Sequence, residues 1–136
     1  MEMIAVRPFT ILDDDVRTRQ EVDPNFLGSG FRRIVYVSTD PGFRGEIPPR
    51  RLRSPLTVVP IPTDPAASIV LTCMDPAGEV ATVELRHGHS YYLSPALAYR
   101  IAVRGRVVLE LFTPASSASQ YVDEEALAPD FFAGID

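Results

Sequence analysis

Lysine is absent from this chain of 136 residues, and all 13 basic residues are arginine. Schiff-base catalysis and phosphate binding by a P-loop both need a lysine amine, so the sequence excludes both classes. Cys73 is the only cysteine, so no internal disulfide can form, and we expect a cytoplasmic protein. Its apolar neighbours favour a buried side chain over a reactive thiol.

Long apolar runs are missing too. The longest lies within residues 68–74 and is far shorter than the roughly 20 residues of a transmembrane helix, so we expect no membrane association. The N-terminus has no basic stretch followed by an apolar core, and we therefore expect no signal peptide. The net charge of −5 argues against nucleic-acid binding through a broad basic surface.

Short apolar segments separated by 13 prolines and eight glycines make up most of the chain. They predict strands at about 5–12, 31–38, 55–61, 68–74, 79–85, 90–94, 98–103 and 107–113. Many short strands at this spacing are typical of a β-sandwich or barrel. The length fits one domain over residues 1–136, with an irregular segment at 1–30 and a C-terminal tail at 120–136.

The connections between these segments carry recognisable turn signals. Asp75-Pro76-Ala77-Gly78 predicts a hairpin turn with proline at its second position, and Arg104-Gly105-Arg106 predicts a second hairpin in which Gly105 can take a positive φ. Residues 40–54 are rich in proline and arginine without an apolar period, which predicts a loop.

The tail at 120–136 predicts a short helix. Asp123 stands near the expected N-cap, and acidic residues follow it in the first turn. Phe131 and Phe132 come later in the tail and need an apolar surface to cover them. That surface belongs either to this domain or to a second subunit.

Both histidines of the chain, His87 and His89, lie in "RHGHSYYLSP" at residues 86–95. On a strand, two residues spaced by two face the same side, which is how many metal sites begin. A stable transition-metal site needs three or four converging ligands, and no third imidazole exists in the sequence. We therefore predict no metal and no other cofactor.

Residues 88–114, "GHSYYLSPALAYRIAVRGRVVLELFTP", resemble the second conserved motif of the cupin superfamily. Gly88 takes the position of the motif's glycine, 91–93 take its strand and Pro95 its corner. Tyr99 stands where cupins usually carry their last metal-ligating histidine. His89 falls on a turn position that is not a ligand. The resemblance implies an all-β fold, a double-stranded β-helix or jelly roll.

The counterpart of the first cupin motif is "FRGEIPPRRL" at residues 43–52. Cupins carry a His-x-His pair there, which would fall around Ile47 and Pro49. Neither of these side chains can bind a metal, and Glu46 alone cannot supply a site. The resemblance therefore agrees with the prediction of no metal.

Within the cupins, the chain is similar to the branch of dTDP-4-keto-6-deoxyhexose 3,5-epimerases and 3,4-ketoisomerases. The similarity lies in "FRRIVYVST" (31–39), "FRGEIPP" (43–49) and "SQYVDEEALAPDFF" (119–132). Members of that branch use a histidine of the first pair as a catalytic base, and this chain has no histidine there. The resemblance implies a small-molecule substrate and a homodimer.

Two residues are candidates for acid–base catalysis. Tyr99 alternates with Ala98 and Arg100 on its strand, and an inward phenol could donate a proton or bind an oxyanion. Glu110 is the only charged residue of an apolar strand, so burial could make it a general base. The alternative for Glu110 is an outward residue or a partner of an arginine.

Four further residues are candidates for substrate binding. Arg33 lies within an apolar strand, where an arginine needs a carboxylate or an anionic ligand as partner. Arg44 could bind phosphate or carboxylate through its planar guanidinium. Tyr36 and Tyr91 could hydrogen bond to a substrate oxygen, and their alternative role is core packing.

Two functions follow from these residues. The first is a metal-independent enzyme of sugar or specialised-metabolite biosynthesis that acts by acid–base chemistry on a small organic substrate, as an isomerase, epimerase, dehydratase or cyclase. The second is a non-catalytic small-molecule-binding cupin or a degenerate partner subunit. Convergence of Tyr99, Glu110 and Arg33 on one cavity would favour the first.

Overall fold

The computed structural model describes residues 4–8, 10–13, 18–21, 31–114 and 124–134. Within these ranges the chain forms twelve β-strands and no helix. The strands are β1 Ile4–Pro8, β2 Thr10–Asp13, β3 Thr18–Glu21, β4 Phe31–Ser38, β5 Arg44–Leu52, β6 Leu56–Pro62, β7 Ser68–Met74, β8 Val80–Glu84, β9 His89–Leu93, β10 Ala98–Arg104, β11 Val107–Pro114 and β12 Glu124–Ala126. The predicted all-β class is confirmed.

Ten of these strands form two antiparallel sheets. The first sheet has the order β1-β9-β6-β11-β4, and the second has the order β12-β5-β10-β7-β8. Strands β2 and β3 pair separately. Consecutive strands often belong to different sheets, as β9, β10 and β11 do, so the chain crosses repeatedly between the two layers. This arrangement is the predicted jelly roll.

The core lies between the two sheets and follows from the alternation of side chains along each strand. In β11, Leu109 and Leu111 are buried, and they meet Ile69 and Leu71 of β7 in one apolar cluster. Ile101 of the central strand β10 belongs to the same cluster. The inner face of each strand is thereby defined, and the alternate residues point outward.

One predicted hairpin is confirmed and the other is wrong. Strands β7 and β8 pair, and in the turn the Gly78 amide donates to the Asp75 carbonyl at 2.9 Å. Strands β10 and β11 lie in different sheets, so residues 104–106 form a crossing between sheets instead of a hairpin. Gly105 takes a φ of 83° there, and a Cβ at this position would lie 3.1 Å from the Cα of Ala67.

The predicted loop at 40–54 is also wrong, because most of it is strand β5. Strand β5 pairs with β10, with Tyr99 opposite Arg50 and Ile101 opposite Ile47. Two residues of β5, Pro48 and Pro49, therefore face one residue of β10, which is a β-bulge. Bulges tolerate prolines, which cannot donate to a regular ladder, and this is why a proline-rich segment forms a strand.

The predicted C-terminal helix is wrong within the described residues. Glu124–Ala126 is strand β12, which pairs with β5 at the edge of the second sheet. The expected N-cap, Asp123, lies outside the described residues. Residues 129–134 form turns, and the Leu127 amide donates to the Pro49 carbonyl at 3.0 Å.

Phe131 and Phe132 pack on this domain itself. Their rings meet edge to face with centroids 4.9 Å apart, and Phe132 is 1% exposed. The guanidinium of Arg100 lies 5.5 Å from the Phe132 ring centroid, and that of Arg51 lies 5.8 Å from the Phe131 centroid. These contacts hold the tail beside the bulge.

Among the described residues, no helix has the length and apolar character needed to cross a membrane.

Candidate functional site

The bulge in β5 decides which side chains reach the interior of the barrel. Ile47 lies on the inner face before the bulge, and in a regular strand residues 49 and 51 would follow it. The extra residue shifts the alternation by one, so Arg50 and Leu52 take the inner face instead. Arg50 is thereby placed opposite Tyr99, which also faces inward.

A hydrogen-bonded network joins three side chains at this point. The Tyr99 hydroxyl donates to Oε2 of Glu124 at 2.6 Å, and Nη1 of Arg50 forms a salt bridge with Oε1 of the same carboxylate. Glu124 reaches the interior because β12 pairs it opposite the inward Leu52. Tyr99 is fully buried, the Glu124 side chain is 8% exposed and the Arg50 side chain is 36% exposed. Arg50 is thus the member of the network that solvent reaches.

The network fixes the charge state of two of its members. Burial, followed by the charge and hydrogen bond of Glu124, raises the pKa of Tyr99 well above its ordinary value. Tyr99 is therefore a neutral phenol that keeps its proton. Desolvation by burial lowers the pKa of Arg50, but the hydrogen bond and charge of Glu124 outweigh it, so the pKa of Arg50 is raised overall. A positive charge is held permanently at the barrel interior.

Tyr36 connects this network to the outside. It pairs opposite the core residue Leu109 and so lies on the inner face of β4, at the edge of the first sheet. It is nevertheless 44% exposed, because the barrel is open beside β4. Tyr36 contributes to the electrostatic environment of both Arg50 and Tyr99. A ligand at the mouth would meet Tyr36 and Arg50 first.

A cleft of about 150 Å³ opens at this mouth. Tyr36 lines it, together with strands β5, β10 and β11 on the facing walls. Its lining residues are Tyr36, Val37, Ser38, Phe43, Gly45, Glu46, Ile47, Val103, Val107 and Leu109. Tyr36 links the cleft to the network, because it lines the cleft and also acts electrostatically on Arg50 and Tyr99.

Of the two predicted catalytic residues, only Tyr99 faces the interior. Glu110 lies between the inward Leu109 and Leu111 on β11, and it pairs opposite Val35 and Val59 on the outer face of the first sheet. Glu110 therefore shares no cavity with Tyr99. The strand alternation explains this placement, because inward residues of β11 are apolar throughout.

The predicted binding residues are dispersed. Tyr91 is buried in the core, and its hydroxyl accepts a hydrogen bond from the Arg86 amide at 2.9 Å. Arg44 is exposed and pairs opposite Arg104. Arg33 belongs to β4 by its backbone and pairs opposite Phe112, but its side chain lies outside the described part. Tyr36 alone among these four residues is at the cleft.

Comparison with known proteins identifies the fold. No protein-family model matches the chain, and no curated protein matches it by sequence. A dTDP sugar isomerase from Desulfovibrio desulfuricans G20 has a similar structure, with a TM-score of 0.67 and 15% identity over 99% of this chain and 94% of that one. The chain has the cupin fold.

Two further structures similar to this chain are those of sugar-modifying enzymes. One is ChmJ, a 3′-monoepimerase from Streptomyces bikiniensis in complex with dTDP-quinovose, with a TM-score of 0.64 and 12% identity over 95% of this chain and 71% of that one. The other is a mutant of the 3,4-ketoisomerase QdtA from Thermoanaerobacterium thermosaccharolyticum in complex with TDP-4-keto-6-deoxyglucose. It has a TM-score of 0.60 and 12% identity over 89% of each chain.

The donor atoms at these positions of the chain do not fit a metal. At the positions where the sequence resemblance places ligands, the chain has Ile47, Pro49 and Tyr99, and Tyr99 is a neutral phenol bonded to Glu124. In the described part of the chain, no three His, Cys, Asp or Glu residues lie together as ligands would. His87 and His89 lie at or just before β9, three strands away from β4. The absence of a bound metal stays a prediction.

Sequence reasoning missed Arg50 and Glu124. Arg50 was assigned to a loop and Glu124 to a helix, so neither was expected to face the interior. The signal available for Arg50 was the adjacent proline pair at 48 and 49, which favours a bulge and a shift of alternation. No local signal in the sequence marks Glu124, because its placement depends on pairing with a strand more than 70 residues earlier.

Proposed function

We propose that this cupin is an isomerase or epimerase that moves a proton next to a carbonyl group of a small sugar-like substrate, without a metal. One observation carries the proposal: a permanently charged arginine, Arg50, and an exposed phenol on the inner face, Tyr36, are near enough to interact electrostatically, and solvent reaches both. The similarity to an epimerase and a 3,4-ketoisomerase supports a sugar as substrate.

Arg50 would stabilise the charge that develops on the substrate. When a proton leaves the carbon beside a carbonyl, the electron pair moves into an enolate, and negative charge collects on the carbonyl oxygen. A fixed guanidinium in a partly dehydrated site stabilises such an oxygen more than water does. Glu124 and Tyr99 are more deeply buried than Arg50 and act through it, by holding its guanidinium in place.

Tyr36 would carry the proton. Solvent water would take the proton that leaves the substrate carbon, and the Tyr36 hydroxyl would donate a proton to the enolate and regain one from solvent, as tyrosines do in general acid–base catalysis. When Tyr36 donates to the face opposite the one from which water removed the proton, the centre is inverted, which is epimerisation. In ketoisomerisation the proton is instead delivered to the neighbouring carbonyl carbon. The hydroxyl on the first carbon gives its proton to the former carbonyl oxygen, so the keto and hydroxyl groups exchange places.

The test is proton exchange with solvent. The purified protein is incubated in D₂O with TDP-4-keto-6-deoxyglucose, the ligand of the structurally similar QdtA, and deuterium at the carbons beside the carbonyl is followed by NMR. We expect exchange with the wild type and a loss of on the order of 10² or more in rate for Tyr36→Phe. Tyr91→Phe is the matched control, because the Tyr91 hydroxyl is bonded to the Arg86 amide in the core.

A non-catalytic binding cupin is the second candidate. The observation in its favour is that Ile47 and Pro49 stand where the resemblance places the catalytic histidine pair, and neither side chain can transfer a proton. This candidate would be favoured over the enzyme if calorimetry shows that keto sugars bind and NMR shows no deuterium exchange for any of them.

We also propose that the protein is a homodimer. Val35 and Val37 project from the outer face of the first sheet and are 41% and 63% exposed. Exposed apolar side chains side by side on a sheet edge are typical of interfaces. Analytical ultracentrifugation should show a species of twice the 15.0 kDa chain mass at micromolar concentration. A monomer under those conditions would contradict the proposal.

A further inference from the structure

The cleft at the barrel mouth has the size and lining of a site for a small ring. Its volume is about 150 Å³. A protein cavity of about 150 Å³ with apolar walls accommodates a molecule as large as benzene. The walls here are aliphatic and aromatic and include Phe43, Ile47, Val103 and Leu109. The volume therefore fits a six-membered ring and is too small for a nucleotide.

The cleft also lacks the groups that bind phosphate. Among the described residues that line it, Glu46 is the only charged one, and its charge is negative. The Ser38 hydroxyl already donates to the Gly105 carbonyl at 2.8 Å. Phosphate groups are bound by arginine or lysine side chains or by several amides, and no arginine or lysine side chain lines the cleft.

Exposure singles out the same place. Large apolar side chains of the described residues are mostly buried, and five are exposed. Three of those five line the cleft: Tyr36 at 44%, Val37 at 63% and Phe43 at 40%. Aromatic residues kept in water around a concave apolar surface are typical of ligand sites. Gly45 leaves room beside Phe43, since a Cβ on Gly45 would lie 2.6 Å from the tip of the Phe43 ring.

We infer that this cleft binds an uncharged, apolar ring of the substrate, about the size of benzene, and that no phosphate group of the substrate occupies it. The inference deepens the proposed function, and it rests on that function because it assumes that the substrate binds at the barrel mouth. The substrate class is then a sugar-like carbonyl compound that also carries such an apolar ring. Any phosphate that the substrate carries lies outside the cleft.

The test uses toluene and inorganic phosphate as separate probes of the wild-type protein with ¹³C-labelled methyl groups. We expect toluene to shift the methyl signals of Ile47, Val103 and Leu109, and phosphate to leave them unchanged. Val103→Phe should fill the cleft and weaken toluene binding at least tenfold. Val80→Phe places the same side chain on β8, at the far edge of the second sheet, and should leave binding unchanged.

Three results would overturn the inference. The first is that toluene near its solubility limit leaves these methyl signals in place, as it would if a second copy of the chain covered the cleft. The second is undiminished toluene binding by folded Val103→Phe protein. The third is a shift of the same methyl signals by phosphate. If Val103→Phe fails to fold, the comparison of toluene with phosphate on the wild-type protein still tests the inference. If toluene binds to the cleft but the substrate shows no deuterium exchange, only the proposed reaction is refuted.

Discussion

Tyr99 donates a hydrogen bond to Glu124 across 2.6 Å, and this bond joins the central strand of the second sheet to the short strand at its edge. The other oxygen of Glu124 holds Arg50, so the three side chains form one unit inside the barrel. Because the raised pKa of Tyr99 keeps its proton in place, the phenol is a permanent donor to the carboxylate. The position of the arginine at the mouth depends on that donor.

Tyr99→Phe tests this dependence. The variant removes one oxygen and little volume, so the fold should survive, but a buried carboxylate oxygen loses its donor. We expect the free energy of unfolding to fall by about 1–3 kcal/mol, as measured by urea denaturation. Turnover should fall on the order of 10² through kcat, because Arg50 is no longer held in its productive position. Unchanged kcat in a folded variant would show that Tyr99 serves packing alone.

The salt bridge between Arg50 and Glu124 can be measured by a double-mutant cycle. Arg50→Ala should destabilise the protein by roughly 2 kcal/mol, because it leaves a buried carboxylate without its cation. We expect less than the loss for a fully buried pair, since the Arg50 side chain is 36% exposed and water screens it. In the Glu124→Gln background the same substitution should cost much less. Equal costs in both backgrounds would mean that the two side chains do not interact.

Gly105 and Gly78 form a matched pair for backbone strain. Both have positive φ, 83° and 89°, but a Cβ on Gly105 would lie 3.1 Å from the Ala67 Cα, whereas nothing lies within 4 Å of one on Gly78. Gly78→Ala should therefore cost about 1 kcal/mol from φ alone. Gly105→Ala should cost about 2–3 kcal/mol, since the crossing between sheets must also shift. Thermal denaturation of the two variants compares them, and equal losses would show that the Ala67 contact is harmless.

Cys73 should be chemically inert in the folded protein. Burial raises the pKa of its thiol from 9.0 to about 12, so no thiolate is present at pH 8. An aromatic disulfide reagent should label it only after unfolding in guanidinium. Because the folded pKa is the higher one, this thiol favours the folded state less and less as the pH rises from 9 towards 12. Rapid labelling of native protein at pH 8 would show that Cys73 is accessible.

The sequence predicts the fold well because two local signals are strong. Apolar residues alternate within short segments such as 107–113, and turn residues separate them, so strand positions follow without tertiary information. The motif at 88–101 adds the jelly roll by resemblance. The errors fall on 44–52 and 124–126, where proline and acidic residues favour a loop and a helix locally. Pairing with neighbouring strands overrides these local preferences.

The candidate site was harder to predict than the fold, since it depends on long-range pairing. Tyr99 follows from the motif, and Tyr36 follows from its strand. Arg50 and Glu124 depend on a bulge and on an edge strand, neither of which leaves a periodic pattern. Glu110 shows the limit of local reasoning, because a lone charge in an apolar strand is compatible with a buried base or with an outward residue, and the pairing of β11 places it on the outer face.

The proline pair at 48 and 49 has a consequence for any comparison of this chain with its structural relatives. A strand has a parity, odd residues to one side and even residues to the other, and the bulge reverses that parity at a single point. If this chain were aligned without a gap to a relative that lacks the bulge, inward residues of one chain would be matched to outward residues of the other beyond the bulge. Deletion of one proline would remove the extra residue and leave Arg50 on the inner face, whereas loss of the bulge without loss of a residue would turn Arg50 outward and Arg51 inward. A substitution at the proline pair could therefore replace the charged group of the site without changing any side chain that forms it.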